Sequence, residues 1–281
     1  MNKSKISGID GPREDSVMKK PNKSKALIYG GLMADHVMEG KLDKLREQLE
    51  GGVSPDWRSN QFGDAVAMAV ASRQAGSLKV LLDAGAQADA TDGEGRCALT
   101  IAAEAGWFDC AKMLAEHGAS LDGVGPEIDG GAMLSPAGAA CVSGRPEILR
   151  FLFERGALVD SADHNGRTPL MLAAHSGNGE CVKVCLAHGA NVDAQENLQG
   201  YTPAMLALVP GGRDAMSALC EAGFNVNIVS LAGTMDQMAA EKPYLGGALV
   251  YAAWRLAVGE RDAMGGEAKL AVSVTASKPR I

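Results

Sequence analysis

The sequence predicts an all-α fold, a solenoid of about seven helix-turn-helix units with divergent capping units at both ends. Three observations support this prediction: a glycine that recurs at a nearly constant interval, apolar residues at helical spacing between those glycines, and a composition with 35 glycines but only 4% aromatic residues. Such a composition suits short helices that pack closely through small side chains. With 281 residues, 46% of them hydrophobic, the chain is long enough to bury a substantial core.

The recurring glycine marks the end of each unit. It follows a helical apolar run at intervals of 33, 33, 38, 33 and 34 residues, and a period of about 20 to 50 residues is the signature of a repeat architecture. A glycine there ends the second helix in a left-handed conformation that a Cβ would penalise. The six glycines are Gly52, Gly85, Gly118, Gly156, Gly189 and Gly223.

The start of the first helix in several units is also marked. Ser135, Thr168 and Thr202 are each followed by proline, so a hydroxyl can cap the free amides while proline occupies the first turn, where its missing N–H costs nothing. Leu170 and Ala173 then begin a buried helical face. A pair of short helices cannot bury such a face alone, and neighbouring pairs must therefore stack.

Seven stretches follow this pattern, and they are taken here in chain order. They span residues 29–56, 63–89, 95–122, 135–160, 165–193, 200–227 and 233–258. The first is degenerate, the second lacks one residue, and the last is divergent. In the second helix of the first stretch, Leu42, Leu45 and Leu49 share a stripe, while Lys44, Glu47 and Gln48 occupy positions that are apolar in the middle units. We expect this of a capping unit that faces water.

Three segments lie outside the regular pattern. The 38-residue interval contains a glycine-rich insertion from Asp122 to Gly131, in which the spacing of Glu127 and Asp129 does not match a calcium loop. Residues 1–28 form a basic arm, and residues 259–281 form a C-terminal tail. We therefore predict a repeat domain over residues 29–258 between an arm and a tail.

The pattern resembles the ankyrin repeat, whose unit of about 33 residues carries a T-P-L-H-x-A signature and folds as a turn and two antiparallel helices. The resemblance covers roughly residues 29–257 and is clearest in NGRTPLMLAAHSGNGECVKVCLAHGANVD, residues 165–193. It implies an ankyrin-repeat solenoid with β-turn fingers. One departure is that no unit keeps the histidine, and its hydrogen bond is lost; Met68, Thr100, Gly138, Met171 and Met205 stand there.

The resemblance also implies a binding surface. In this family the contact surface is concave and is formed by the turn tips and the first helices. Carried over position by position, the partner-binding residues are Arg58, Asn60, Gln61, Phe62, Asp64, Ser72, Arg73, Glu94, Arg96, Glu104, Trp107, Leu134, Val142, Ser143, His164, Asn165, Arg167, His175, Ser176, Leu198, Gln199, Tyr201 and Val209.

Trp107 is a candidate anchor on this surface, because it stands at a normally polar and exposed position, whereas Phe108 falls on a core-facing one. Interface hot spots are enriched in tryptophan, tyrosine and arginine. The alternative is that Trp107 packs on the next unit, and the sequence leaves both open.

Charge narrows the choice of partner. The chain has a net charge of -7, but residues 1–25 carry seven Lys/Arg against three Asp/Glu, so the remaining chain is more acidic than the total suggests. An acidic body repels phosphate backbones and attracts basic surfaces. We therefore expect a protein partner with a basic surface, and neither nucleic acid nor a small-molecule substrate.

Residue types that often carry chemistry do not form a catalytic or metal-binding pattern. Cys181 and Cys185 lie at i, i+4, but no further ligand stands at zinc spacing. The five histidines form no HExxH pattern, and the glycine-rich stretches lack GxxxxGK[ST]. We expect reduced, buried thiols, and no catalytic residue, metal or cofactor.

Together these expectations describe a non-enzymatic protein-protein interaction module. Three uses remain open: an adaptor or a regulatory subunit within a complex, a stoichiometric inhibitor of the immunity-protein kind, or a bacterial effector that acts on a host protein. The absence of an enzyme-like segment favours the first two. No stretch of eighteen apolar residues and no signal-peptide pattern occurs, so we expect a cytoplasmic protein without membrane contact.

Overall fold

Helix pairs repeat along the whole described part of the chain, which in this computed structural model comprises residues 32–123 and 134–264. Fourteen helices form seven helix-turn-helix pairs there. The predicted fold class and the predicted seven units are confirmed. The arm over residues 1–28 and most of the insertion and the tail lie outside the described residues, while the last helix continues past residue 258 to Met264.

The helices follow the predicted order, first and second helix alternating. They are α1 (residues 32–38) and α2 (Leu42–Glu50), α3 (Ala65–Ala71) and α4 (Ala75–Asp83), α5 (Ala98–Ala105) and α6 (Phe108–Glu116), α7 (Pro136–Val142) and α8 (Pro146–Glu154), α9 (Pro169–His175) and α10 (Gly179–Ala187), α11 (Pro203–Leu206) and α12 (Arg213–Ala222), and α13 (Met235–Glu241) and α14 (Gly246–Met264).

The helix boundaries have the predicted chemical causes. The hydroxyls of Ser135, Thr168 and Thr202 each accept a hydrogen bond from the backbone N–H three residues later, and proline follows each of them in the first turn. This satisfies one of the amides that have no partner inside the helix. All six glycines predicted to end second helices have positive φ angles, between 75° and 97°.

The position of the missing histidine is filled in different ways. Asp64 precedes the first residue of α3, so the third helical residue of the second unit is Ala67, and the assignment of Met68 to this position is wrong. The hydroxyl of Thr100 is buried and has no hydrogen-bond partner among the described residues. In the seventh unit, Gln237 accepts a hydrogen bond from the backbone N–H of Thr234 at 2.9 Å.

One hydrophobic core runs through the stack, from Met33 in α1 to Tyr251 in α14. In the middle units the first helices are buried almost throughout, because each lies between two neighbouring first helices and against its own second helix, whereas α1 and α13 at the two ends are partly exposed. In the first unit, Leu45 is buried and Lys44 is exposed, as predicted. The expectation that Gln48 faces water is wrong, since its residue is only 6% exposed.

Short hairpins project from the stack as fingers between units. Strands β1 (Arg58–Ser59) and β2 (Gly63–Asp64) pair antiparallel, as do β3 (Val229–Ser230) and β4 (Gly233–Thr234). Backbone hydrogen bonds also join successive fingers: the N–H of Asp64 donates to Thr91 O, and that of Leu231 donates to Gln199 O, both at 2.8 Å. These bonds join each of the two hairpins to a neighbouring finger.

A ladder of aspartates joins each of the first six units to its neighbour. In five successive junctions, an aspartate carboxylate accepts the backbone N–H of a residue two positions after the following unit's terminal glycine, with N–O distances of 2.6 to 3.1 Å. The pairs are Asp56 with Gln87, Asp89 with Ser120, Asp122 with Leu158, Asp160 with Asn191, and Asp193 with Asn225. These bonds hold neighbouring fingers at one spacing.

Candidate functional site

The surface predicted to bind a partner, here called the inner surface, consists of the finger tips together with the ends of the first helices. In the first finger, Arg58, Asn60, Gln61 and Phe62 are exposed, and Phe62 retains 43% of its accessible surface. These four residues are available for contact.

Asp64, in contrast, forms its ion pair and hydrogen bond within the stack of fingers. Its Oδ1 lies 2.8 Å from Nη1 of Arg58, and its Oδ2 accepts the backbone N–H of Thr91 at 2.7 Å. The structure thus brings together two predicted binding residues, Arg58 and Asp64, as an ion pair. Arg58 remains half-exposed and can still reach a partner, whereas Asp64 serves the shape of the finger.

Two further fingers are held by the same pattern of hydrogen bonds to one aspartate. In the third unit, Asp92 Oδ1 accepts the N–H groups of Glu94 and Arg96, both at 2.9 Å, and its Oδ2 lies 2.9 Å from Arg96 Nε. Such a carboxylate replaces solvent for the turn amides and fixes the turn. Arg96 also lies 3.3 Å from Glu104, which links the finger to the end of α5.

The fifth unit has the same pattern of hydrogen bonds. Asp163 Oδ1 accepts the N–H groups of Asn165 and Arg167 at 2.9 Å, and Oδ2 lies 3.0 Å from Arg167 Nε. His164, between them, is exposed. Arg96 and Arg167 were predicted as contact residues, yet part of each guanidinium is used inside its own finger, so their first role is to shape the surface.

The sixth finger uses a glutamate in place of the aspartate. Glu196 is buried and accepts the N–H groups of Leu198, Gln199 and Tyr201 at 2.6, 2.7 and 3.1 Å. Burial by itself would raise the pKa of this carboxyl group, but the backbone donors outweigh burial and its pKa lies below the usual value. The turn that results exposes Leu198, 65% of whose surface is accessible.

The helix ends complete the inner surface. Val142, His175 and Ser176 are exposed, as are Arg73 and Glu104, whereas Ser72, Ser143, Leu134 and Val209 are half-buried. Leu134 also packs against the core. The predicted residues at the helix ends therefore differ in how much surface they offer.

The assignment of Phe108 to the core is wrong. Phe108, expected in the core, is 37% exposed and meets Phe151 edge-on at 5.4 Å, while Trp107 is half-buried and packs against the core. The cause is the helix register: α6 begins at Phe108, and its buried face is formed by Cys110, Ala111 and Leu114. Phe108 lies away from that face.

Sequence reasoning missed an apolar tip in the seventh finger. Leu231 is 83% exposed and Val229 is 64% exposed. The repeat period could have revealed it, because Leu231 stands 33 residues after Leu198 and each leucine stands two positions before the corresponding glycine of its own finger. The two leucines occupy equivalent places on adjacent fingers.

The thiols are structural in character. All six cysteines are unpaired, and five of them are buried. Cys141 Sγ lies 3.9 Å from Cys185 Sγ at the junction of α7 with α10, and burial raises the pKa of Cys141 far above the ordinary thiol value. Within residues 32–123 and 134–264, no group of three or more ligating side chains is placed to hold a metal ion.

Comparison with known proteins decides the family. The family description "Ankyrin repeats (3 copies)" matches residues 33–124 and 137–230, more than half of the chain. The chain belongs to the ankyrin-repeat family. Ankyrin-repeat domains are in general non-catalytic modules that bind other proteins.

The ankyrin repeats here resemble those of proteins with different roles. The chain is 30% identical over 161 residues to the potassium channel AKT2/3 of Arabidopsis thaliana, covering 57% of this chain and 19% of that one. It is 29% identical over 176 residues to the B-cell lymphoma 3 protein homolog of Mus musculus, covering 59% of this chain and 39% of that one. The chain thus spans well under half the length of these relatives.

A solved structure agrees with the fold. The crystal structure of the ankyrin repeat domain of Bcl-3 superimposes with a TM-score of 0.65 at 24% identity, covering 73% of this chain and 92% of that domain. This ankyrin domain thus shares its architecture with that one. Among the helices of the described residues, none is both long enough and apolar enough to cross a membrane.

Proposed function

We propose that this ankyrin-repeat protein binds a partner protein on its concave inner surface and acts as an adaptor or as a stoichiometric inhibitor of the immunity-protein kind. The observation that carries the proposal is the internal fixing of the fingers. Asp92, Asp163 and Glu196 each hold a finger through several backbone N–H groups, so little conformational freedom remains to be lost when a partner binds.

The exposed apolar side chains support the same proposal. Phe62, Val142 and Leu198 are each more than 40% exposed. Phe62 and Leu198 lie on fingers, and Val142 lies at the C-terminal end of α7. Apolar side chains presented by a rigid frame are suited to the desolvated centre of an interface, with the surrounding polar groups at its rim. Contacts spread over several units would explain why the fingers are held in register.

Charge and redox state support the remaining parts of the proposal. A net charge of -7 favours a partner with a basic surface, because long-range attraction speeds encounter and suppresses acidic competitors. Six unpaired thiols are consistent with action in the reducing cytoplasm. The described residues offer no arrangement that would carry catalysis, so we propose that the protein is not an enzyme.

The test begins with the partner. Full-length protein is cross-linked in its native cells, the attached protein is identified by mass spectrometry, and the pair is reconstituted from purified components. We expect a one-to-one complex that Leu198→Asp and Phe62→Asp each weaken at least tenfold. Leu256→Asp, an equally drastic change at an exposed site on α14, is the matched control and leaves the affinity unchanged.

The same complex distinguishes an inhibitor from an adaptor. Loss of the partner's enzymatic activity at equimolar ratio identifies an inhibitor, and unchanged activity in a stable complex identifies an adaptor. Equal weakening by all three substitutions, or by none, would remove the inner surface as the binding site. Trp107→Ala tests the anchor, with an expected loss of about 1 to 4 kcal/mol in binding free energy.

A further inference from the structure

The two ends of the solenoid expose opposite kinds of surface. At the first end, every exposed residue of α2 is charged. Lys44 pairs with Glu47 at 3.0 Å along this helix. Arg46 pairs with Asp43 at 3.4 Å. A terminal unit of a solenoid needs such a polar outer face because it contacts water. The first end is therefore suited to solvent.

The last helix, α14, has an apolar outer face instead. Over residues 246–258, the part of α14 whose exposure the structure describes, the exposed residues are Leu249, Ala252, Ala253 and Leu256. The two leucines are 61% and 70% exposed. The spacing i, i+3, i+4 and i+7 puts all four residues on one face of the helix. These four residues are here called the outer stripe.

The opposite face of α14 is fixed within the stack. Tyr251 is buried, and its hydroxyl donates to Asp236 Oδ1 of α13 at 2.5 Å. The ring of Trp254 stacks on that of Phe224, with centroids 5.2 Å apart. The helix cannot rotate without losing these contacts. The outer stripe is therefore left uncovered by the residues that the structure describes.

The sequence that follows α14 carries a pattern that matches this stripe. Residues 265–281 lie outside the described residues, and they begin with Gly265 and Gly266, a pair typical of chain reversals. Leucine and two valines then alternate with small or polar residues, at Leu270, Val272 and Val274. In an extended chain, this alternation places the three apolar side chains on one edge.

We propose that residues 267–275, here called the return segment, run back along α14 and cover the outer stripe. Leu256 stands eight residues before Met264, a distance of about 12 Å in a helix. Four extended residues from Gly266 to Leu270 span about 13 Å, so Leu270 reaches the level of Leu256. Leu249 lies about 10 Å further along the helix, and the two valines of the return segment reach it.

The size of the outer stripe favours an occupant from the same chain. Two leucines and two alanines expose much less than the about 800 Å² per subunit that a stable dimer buries. A linker of a few residues, however, gives an effective concentration in about the millimolar range. A contact that is too weak to hold two molecules together can therefore still form within one chain.

The experiment measures how fast trypsin cleaves after Lys269 in the full chain under native conditions, followed by mass spectrometry. The double variant Val272→Asp, Val274→Asp should be cleaved at least tenfold faster than the parent, because a carboxylate on that edge resists burial against the outer stripe. The double variant Ser273→Asp, Thr275→Asp adds the same charges to the other edge. It is the matched control and should be cleaved at the parent's rate.

Substitutions in the helix pair test the other side of the contact. Leu249→Asp leaves the cleaved sequence unchanged and should also accelerate cleavage at least tenfold. Leu158→Asp, at a leucine of the fourth unit that is likewise 61% exposed, is its control and should not. Circular dichroism checks that each variant keeps the helix content of the parent.

Three results would overturn the proposal. The first is equal cleavage of the parent and the valine double variant. The second is equal acceleration by the matched controls. The third is a dimer, seen by sedimentation at two protein concentrations, that Leu249→Asp dissociates, because the occupant is then a second copy.

This inference goes beyond the proposed function, and the two can fail separately. The return segment involves no finger residue, so Leu256→Asp should release it while the affinity for the partner stays unchanged. Cleavage rates that do not distinguish the variants, in a protein whose complex Leu198→Asp weakens, remove only the return segment. Faster cleavage of the valine double variant, in a protein whose complexes finger substitutions leave intact, removes only the inner surface.

Discussion

The guanidinium of Arg167 binds the carboxylate of Asp163 inside its own finger, with Nε 3.0 Å from Oδ2, and the side chain of Asp163 is only 2% exposed. The carboxylate also accepts two backbone N–H groups. The residue that determines the shape of this finger is therefore the buried aspartate, and the arginine that borders the inner surface is held by it.

Replacing this aspartate should destabilise the protein. Asp163→Ala leaves the amides of Asn165 and Arg167 without their acceptor, and we expect the free energy of unfolding to fall by about 1 to 3 kcal/mol. Urea denaturation followed by circular dichroism measures the change. Glu154→Ala, at an exposed carboxylate of α8, is the control and should change stability by less than about 0.5 kcal/mol. Equal effects of the two substitutions would contradict this role.

Arg73 in the second unit and Gly144 in the fourth occupy the same left-handed position in the turn between the two helices of a unit. Substitutions at the two positions are predicted to change stability in opposite directions. Arg73→Gly relieves a positive φ of 55° and should raise the free energy of unfolding by about 0.5 to 1 kcal/mol, after allowance for the greater freedom of glycine in the unfolded chain. Gly144→Ala, at φ 64° and with Asn178 Oδ1 3.0 Å from the new Cβ, should lower it by about 1 kcal/mol. Thermal and urea unfolding of both variants test the pair; destabilisation by Arg73→Gly would show that its side chain contributes more than the strain costs.

The aspartate ladder predicts that the stability of the protein depends on the hydrogen-bond acceptor at position 89. Asp89 Oδ1 accepts the N–H of Ser120 at 2.6 Å across a junction between units. Asp89→Ala should lower the free energy of unfolding by about 1 kcal/mol. Asp89→Asn keeps an acceptor and should lose less. Amide hydrogen exchange at Ser120 gives a local readout: faster exchange in the alanine variant than in the asparagine variant is expected, and identical rates would exclude the bond as a significant contact.

Glu196 predicts a loss of stability in acid. Its pKa is lowered because backbone donors outweigh burial, so the ionised form stabilises the folded state. That contribution is complete above the pKa of an unfolded glutamate, about 4.3, and disappears as the pH falls through the lower folded value.

The Glu196→Gln variant should therefore be less stable than the parent at about pH 7, with a difference that shrinks toward about pH 3. Urea unfolding across this range measures it. Glu241→Gln, at an exposed glutamate of α13, is the matched control and should show no such trend. A difference between parent and Glu196→Gln that is independent of pH would show that the side chain acts by shape alone.

Features set by local chemistry were predictable from the sequence. The six terminal glycines, the caps at Ser135, Thr168 and Thr202, and the count of seven units all follow from backbone geometry and unpaired amides, which depend on nearby residues. The core followed from the helical spacing of apolar residues, which is likewise a local pattern.

The hydrogen bonds and ion pairs that inner-surface arginines form within their own fingers were not predicted. They depend on contacts between a turn and the carboxylate that flanks it. Arg96 and Arg167 were read as free, although an aspartate stands four residues before each, in DGEGR and DHNGR. Recognising that shared pattern would have assigned both arginines to the fingers. Phe108 was assigned to the core because the sequence does not show where α6 begins, and that position decides which residues face the core.

The aspartate ladder joins the first six helix pairs, each to its neighbour, through one short hydrogen bond beside the shared apolar core. Because the same bond recurs at five successive junctions, small changes in junction geometry would add up along the stack. The separation of distant fingers, and with it the fit of a ligand that contacts both, is therefore set by every junction between them.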